Sequence, residues 1–274
     1  MIRVPMTASS LATTRFAVSR LSEAFDGLRA LSDPAANGHL RSWVRWARPR
    51  IRNLDLSLLD GLVRTGGYVP DFLVPPPPPP SLDSTLDAEL AGIRATPADR
   101  VGAELDLAYR GRPPPARVGV ALADGEQAFL EHVTVALRRF WDAAMDPWWP
   151  TIRTVLEDDI GYRARMMARH GAATALTQMD RSLRWDDSCL EIARPATFDA
   201  DWADGGVIFS PTVFGGPHLY LSLQPWIQSV IYYPARNVIN GRALRPYDAH
   251  HGSAELLGRT RSEILSQLDR PRST

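Results

Sequence analysis

Six consecutive prolines, Pro75 to Pro80, constrain this chain more than any other feature of its sequence. Proline fixes the backbone dihedral φ and has no N–H group to donate, so the run is excluded from helices and sheet ladders and favours an extended polyproline II rod. Such a rod is typical of a rigid surface connector or, alternatively, of a docking site for a proline-binding partner domain. We therefore predict a polyproline linker at residues 75–81, after an N-terminal helical part at residues 1–74.

Apolar residues recur at steps of three and four on both sides of this run, which predicts amphipathic helices. Thr96 and Pro97 add a helix start signal, because a hydroxyl cap precedes a proline at the first helical position. Met1–Met6 is predicted to be a strand, and Gly66–Phe72 a turn that leads into a strand. The predicted helices span residues 14–31, 40–51, 82–93, 129–144 and 150–170, with a further helix that starts at Thr96.

From Leu183 the sequence changes to short β-rich runs separated by turn residues, which is typical of an antiparallel meander. A helical period returns after Gly252. The sequence therefore predicts an α+β fold, with a mainly helical N-terminal half, an antiparallel β-meander near 183–235 and a separate C-terminal helix. We divide it into four regions: 1–74, 75–81, 82–250 and 251–274. The predicted strands are residues 183–185, 189–192, 206–209, 219–223 and 230–233.

Composition narrows the classes of protein that this chain can represent. The formal net charge is zero, so the chain lacks the overall basic excess of nucleic-acid-binding proteins, and any DNA contact has to be local. Its single cysteine, Cys189, excludes an intrachain disulfide and a cysteine-rich zinc site, as expected in the reducing cytoplasm. No apolar run reaches the roughly 18 residues of a membrane span. We expect a cytoplasmic protein that does not insert into membranes.

The final residues, 255–274, resemble the start of an ArsR-type winged helix. In that family a leucine-rich first helix ends in a short proline-containing turn, here at Pro271, and a Ser/Thr pair, here Ser273 and Thr274, caps the next helix. The rest of the chain resembles the long N-terminal domain of unknown function in a group of actinobacterial ArsR-like regulators. The matching landmarks are Thr14–Ala17, Arg64–Pro80, Ala95–Pro97, Phe140–Trp141, Trp149–Pro150, Gly206–Phe214 and Ile231–Arg236.

This resemblance implies a sensor and dimerisation region of a DNA-binding transcriptional regulator that acts as a homodimer. A winged helix reads DNA with a recognition helix and a wing, both expected beyond Thr274, so the 274 residues are not expected to bind DNA well. A ligand- or protein-binding module that does not contact DNA is the first alternative, and an uncharacterised enzyme is the second. The candidate phosphate contacts are Arg270, Arg272, Ser273 and Thr274.

Aromatic residues give the best indication of a ligand pocket. Tryptophans near one helix junction and aromatics of the β-rich region would line an apolar cavity if the two regions pack together, with an arginine to orient a polar group of a small-molecule ligand. Ordinary core packing of these large rings is the alternative. The candidate pocket comprises Trp141, Trp148, Trp149, Arg163, Trp226, Tyr232 and Arg236.

Other polar groups carry no recognisable catalytic or metal-binding pattern. The sequence has no Gly-x-Ser-x-Gly elbow, P-loop or Gly-x-Gly-x-x-Gly turn, so we expect neither an enzyme nor a cofactor. Consecutive acids at 157–159 point about 100° apart on a helix and are interpreted as a polar face. Asp248, His250 and His251 are interpreted as solvated linker residues rather than metal ligands. A solvated helix face is also predicted for Arg41, Arg45, Arg48 and Arg52.

Overall fold

The computed structural model describes residues 1–63, 68–78, 84–193, 198–199, 206–222, 228–236 and 238. Its helices are α1 (Ala8–Thr13), α2 (Arg20–Ser32), α3 (Arg41–Ile51), α4 (Ser57–Val63), α5 (Leu86–Arg94), α6 (Ala98–Tyr109), α7 (Ala116–Leu122), α8 (Glu126–Phe140) and α9 (Trp149–Thr177). Short 3-10 turns lie at Gly38–Leu40, Asp71–Leu73 and Asp146–Trp148, and a π-helical turn lies at Trp141–Met145. None of the described helices combines the length and apolarity that crossing a membrane requires.

The strands form two four-stranded sheets. They are β1 (Ile2–Pro5), β2 (Arg15–Phe16), β3 (Leu183–Asp186), β4 (Cys189–Ile192), β5 (Phe198–Asp199), β6 (Val207–Thr212), β7 (Tyr220–Ser222) and β8 (Ser229–Pro234). Sheet A has the order β3-β4-β1-β5 and sheet B the order β2-β6-β8-β7. The α+β class and the helical N-terminal half predicted from the sequence are therefore confirmed.

The predicted single antiparallel meander is wrong in its strand arrangement. The β-rich stretch is divided between the two sheets, and β6 pairs with β8 in parallel, with Ile208 opposite Val230. Strands from the start of the chain complete both sheets, because β1 pairs with β4 and β2 with β6. Alternation and turn signals locate strands but do not identify their partners, which are set here by contacts far apart in the sequence.

The first prolines of the run contact the folded body. Pro77 is buried, and its carbonyl oxygen accepts a hydrogen bond from the Arg15 guanidinium. Pro75 lies against Gly92, where a Cβ atom would come within 3.0 Å of the proline ring. Residues before and after the run contribute to one hydrophobic core and to both sheets, and the remainder of the linker predicted at 75–81 lies outside the described residues from position 79 onwards.

Other local predictions differ from the structure at element ends. The segment that was predicted to be a strand after Gly66 contains a 3-10 turn at Asp71–Leu73. Helix α6 is capped by Pro97, and the Thr96 hydroxyl instead donates to the Gly92 carbonyl. The first predicted helix starts too early, because Thr14 caps the end of α1 and Arg15 and Phe16 form β2, so α2 begins only at Arg20. The predicted first helix of a winged helix, at 251–274, lies outside the described residues.

Helix α2 lies at the centre of the fold, and its N-terminus is held by an acid from another helix. Glu89 of α5 accepts hydrogen bonds from the backbone N–H groups of Arg20 and Leu21, both at 3.0 Å. It also accepts from the hydroxyls of Ser19 and Ser84. The first N–H groups of a helix have no acceptor within the helix. The buried Glu89 carboxyl provides that acceptor in the place of water.

We predict that Glu89→Ala lowers the free energy of unfolding by about 1–3 kcal/mol, because it leaves buried N–H groups without an acceptor. Urea unfolding followed by circular dichroism measures the change. Asp87→Ala is the matched control on the same helix, since Asp87 is exposed and pairs with Arg138 at the surface. Equal losses in the two variants would contradict the role given to Glu89.

Candidate functional site

A cavity of about 940 Å³ lies between helix α2, the 68–74 segment and the β7–β8 edge of sheet B. Helix α2 presents Ser22, Phe25, Asp26 and Arg29 to it, which lie on one side of the helix because they follow the spacing i, i+3, i+4 and i+7. Strands β7 and β8 present Tyr220 and Tyr232, which are directly opposite each other in the antiparallel pair. A volume of this size accommodates a drug-sized small molecule.

Asp26 is the acid that α2 brings to the cavity wall. Its side chain is partly exposed, and burial raises its pKa to about 7, while the Arg29 guanidinium opposes the rise. Arg29 also lies over the Tyr220 ring, with 5.3 Å between the guanidinium carbon and the ring centroid. The acid and the guanidinium of α2 thus lie at the same wall of the cavity.

Glu23, one turn earlier on α2, lies fully buried behind this wall. Its two carboxyl oxygens accept the backbone N–H groups of Val213 at 2.8 Å and Phe214 at 2.9 Å. Burial raises the pKa of Glu23 to about 8; the hydrogen bond from Val213 lowers it, and Asp26 raises it further. Glu23 therefore fixes the turn after β6 to α2 and contributes to the electrostatics of the cavity.

A second acid, Asp71, lines the cavity from the opposite side. It is buried and accepts a hydrogen bond from the Tyr68 hydroxyl at 2.9 Å. Glu104 of α6 lies behind it and accepts the Phe72 backbone N–H at 2.8 Å. Burial raises the pKa of Tyr68 well above its ordinary value, and both acids raise it further. This side of the cavity is also electronegative.

Two buried hydroxyl groups in the lining are without a hydrogen-bond partner among the described residues. They belong to Tyr232, which is 6% exposed, and Ser222, also 6% exposed. Burial raises the pKa of Tyr232 well above its ordinary value, and Glu89, Asp71 and Asp26 raise it further. An unsatisfied buried polar group costs about 1–3 kcal/mol, so a polar group of a ligand would recover stability here.

The basic side chains of the lining differ in exposure. Arg110 and His218 are exposed, and Arg29 is partly exposed, as Asp26 is, whereas Asp71 is buried. Arg110 has a left-handed backbone (φ 55°) at the end of α6, which turns the chain away from the helix. Among these charged residues of the lining, Asp71 is therefore the most buried.

The structure divides the sequence-predicted pocket residues among different places. Trp141, Trp148 and Trp149 pack in the helical core, and the rings of Trp141 and Trp149 lie 5.1 Å apart. The Arg20 guanidinium lies 4.2 Å from the Trp149 ring centroid. Tyr232 lines the cavity described above. Trp226 lies outside the described residues, as do Arg270, Arg272, Ser273 and Thr274.

Arg163 and Arg236 meet at a buried acid, Asp159, on α9. Asp159 is 2% exposed and Arg163 4% exposed, with 3.5 Å between Asp159 Oδ2 and Arg163 Nε. Asp159 Oδ1 accepts the Arg236 backbone N–H at 3.1 Å and lies 3.3 Å from Arg236 Nε. The polar face predicted at 157–159 is thus wrong for Asp159, although Glu157 and Asp158 are exposed. This cluster fixes the chain after β8 to α9.

Strand β8 connects the cavity with this cluster. Tyr232 faces the cavity, and the next residue, Tyr233, points to the other side of the sheet, as alternate residues of a strand do. There the Arg163 guanidinium lies 5.7 Å from the Tyr233 ring centroid. Burial raises the pKa of Tyr233 well above its ordinary value, and Asp159 raises it further.

Sequence reasoning missed Asp26, Glu23 and Asp71. Asp26 directly follows the buried Phe25, and a position beside a buried residue does not by itself indicate a cavity wall. Nothing in the sequence near Glu23 or Asp71 identifies the backbone groups or the cavity that they face. The predicted solvated arginine face is confirmed, because Arg41, Arg45, Arg48 and Arg52 are exposed.

We predict that the free energy of unfolding falls as the pH rises from about 4.5 to 8, and that Glu23→Gln reduces this slope. The ordinary pKa of Glu23 is 4.5 and its folded pKa about 8, so the folded state binds the proton more tightly than the unfolded chain throughout this interval. Urea unfolding at a series of pH values tests this. Glu157→Gln, at an exposed position, is the control, and an unchanged slope in Glu23→Gln would refute the assignment.

We also predict that Asp159→Asn lowers the free energy of unfolding by about 3–5 kcal/mol, since it leaves the buried Arg163 charge without its partner. Asp158→Asn, the exposed neighbour on α9, should change it by less than about 0.5 kcal/mol. Chemical unfolding of the two variants gives the comparison. A loss in Asp159→Asn no larger than in its neighbour would show that the buried pair is unimportant for stability.

Comparison with known proteins finds one family. Residues 104–238 match the model of a family described as a family of unknown function, DUF5937. The matched segment extends from α6 through β8, so it includes Tyr220, Ser222 and Tyr232 of the cavity but not α2 with Asp26. No curated protein and no solved structure matches the chain significantly. This match shows that residues 104–238 are similar to that family, and it assigns no activity to them.

Proposed function

We propose that this chain is the sensor and dimerisation region of an ArsR-type DNA-binding transcriptional regulator, and that the cavity between α2 and sheet B receives its small-molecule signal. The cavity carries this proposal. It has a volume of about 940 Å³, an apolar and aromatic lining and a few inward polar groups, the usual features of a small-molecule site. The resemblance of residues 255–274 to the start of a winged helix supplies the regulatory role.

The position of β8 supports a route from the cavity towards the C-terminal residues. Tyr232 of this strand lines the cavity, and four residues later Arg236 is held by Asp159 of α9. A ligand that moves Tyr232 therefore acts on a strand whose end is fixed, through Arg236, to the buried acid Asp159. The residues that resemble the winged helix follow this point in the chain, so a shift of β8 would alter how they are presented to DNA.

The proposed regulator acts in the cytoplasm as a homodimer on pseudo-palindromic DNA, as winged-helix and related regulators commonly do. The runner-up is a module that binds a ligand or protein without contacting DNA. Both functions use the same cavity, so DNA binding discriminates between them.

The test compares residues 1–274 with the same chain fused after Thr274 to a complete ArsR winged helix. Both proteins are incubated with a random pool of DNA duplexes and followed by gel shift at several salt concentrations. We expect the fusion to select pseudo-palindromic sites as a dimer, with affinity that falls steeply with salt. We expect the 274-residue chain to select none, because base reading requires the recognition helix.

Two results would contradict the proposal. Tight, salt-sensitive and sequence-selective binding by the 274-residue chain would show that it contains its own DNA reader. A fusion that remains monomeric and selects no sequence would favour the module that does not contact DNA. The same winged helix, expressed without residues 1–274, is the control. It measures how much dimerisation and DNA binding the winged helix shows by itself.

A further inference from the structure

The charges around the cavity distinguish one class of ligand from another. Asp71 is buried in the lining, where burial strengthens electrostatic interactions, Asp26 and Arg29 are partly exposed, and Arg110 and His218 are exposed. Arg29 is the cation close to Asp26, and its guanidinium also lies over the Tyr220 ring.

Further acids lie behind the lining, and their hydrogen-bond donors are largely neutral. Glu23 accepts two backbone N–H groups, Glu89 accepts backbone N–H groups and serine hydroxyls, and Glu104 accepts the Phe72 N–H. These carboxyls hold loops to helices, and burial raises the pKa of Glu23 and Glu89, which favours their uncharged form.

The hydroxyls of Tyr232 and Ser222 provide an independent indication. Both residues are more than nine-tenths buried, both line the cavity, and neither hydroxyl has a hydrogen-bond partner within the described chain. Each oxygen has lone pairs that can accept a hydrogen bond. A hydroxyl can also donate, so the two hydroxyls suit a polar group of either kind, and the Asp26 carboxyl in the same lining favours a hydrogen-bond donor with positive charge.

The aromatic rings of the lining suit the same group. Tyr68, Tyr220 and Tyr232 surround the polar part of the cavity, and a cation over an aromatic face gains about 0.5–2 kcal/mol, with more when water is excluded. Phe25, Val74 and Leu219 supply apolar surface for the remainder of a ligand.

We propose that the cavity binds a protonated organic amine with an apolar or aromatic frame, its ammonium group held by Asp26 and the hydroxyls of Tyr232 and Ser222. This proposal rests on the proposed function only in taking the cavity as the sensing site. Asp71 contributes negative potential from the opposite wall. Arg29, which pairs electrostatically with Asp26 in the empty cavity, remains over Tyr220 when the amine is bound.

The experiment uses three probes that share a diphenylmethyl group and differ in charge: diphenylmethylammonium, diphenylmethanol and diphenylacetate. Binding of each to the 274-residue chain at neutral pH is measured by isothermal titration calorimetry. We expect the ammonium compound to bind at least about tenfold more tightly than the carboxylate, with the alcohol in between, because a hydrogen bond to a charged group adds about 1.5–3 kcal/mol.

Variants locate the effect. Asp26→Asn should weaken ammonium binding about tenfold and leave the alcohol nearly unchanged, which also shows that the variant is folded and its cavity intact. Because Arg29 then faces no carboxylate on α2, the carboxylate probe should gain affinity. Tyr232→Phe should weaken the ammonium probe more than the carboxylate probe, and Asp158→Asn, far from the lining, should change nothing.

Tighter binding of the carboxylate than of the ammonium compound would overturn the amine assignment while leaving the cavity as a ligand site. Ammonium binding that Asp26→Asn and Tyr232→Phe leave unchanged would overturn it as well. Failure of all three probes at millimolar concentration would overturn both the amine assignment and the cavity as sensing site. The DNA selection by the fused winged helix tests the regulatory function separately.

Discussion

Buried carboxyl groups that accept backbone N–H groups hold this fold together. Glu23 joins α2 to the turn after β6, Glu89 joins α5 to the start of α2, and Asp159 joins α9 to the end of β8. Each contact links segments that lie far apart in the sequence. Burial raises the pKa of Glu23 and Glu89, and the hydrogen bonds that they accept offset part of this effect.

This way of joining elements has a consequence for the cavity. Helix α2 is held on one side by Glu89 and carries Glu23 on another, so its remaining face, with Asp26, is fixed against the β7–β8 edge of sheet B. The proposed amine would meet Asp26 and Asp71, the two acids of the lining, with little rearrangement because the fold already holds them in place.

Local patterns in the sequence predicted the elements well and their partners poorly. The apolar face of Leu21, Phe25 and Leu28 is the core face of α2, and the strand predicted at Met1–Met6 is β1. The pairing of β1 with β4 could not be predicted, since alternation carries no information about a partner 190 residues away in the register. Asp159 was assigned to a polar face although it is three residues after Leu156, on the apolar stripe. Its spacing, considered without its two acidic neighbours, indicated burial.

Amide hydrogen exchange at Val213 and Phe214 tests most directly whether a buried carboxyl holds sheet B to α2. Both N–H groups follow β6 and donate to Glu23. In the unmodified protein we predict slow exchange at both, comparable with that of neighbouring strand residues. In Glu23→Ala both should exchange much faster, while Ile208 within β6 remains protected. Equal protection of Val213 and Phe214 in the two proteins would contradict the account.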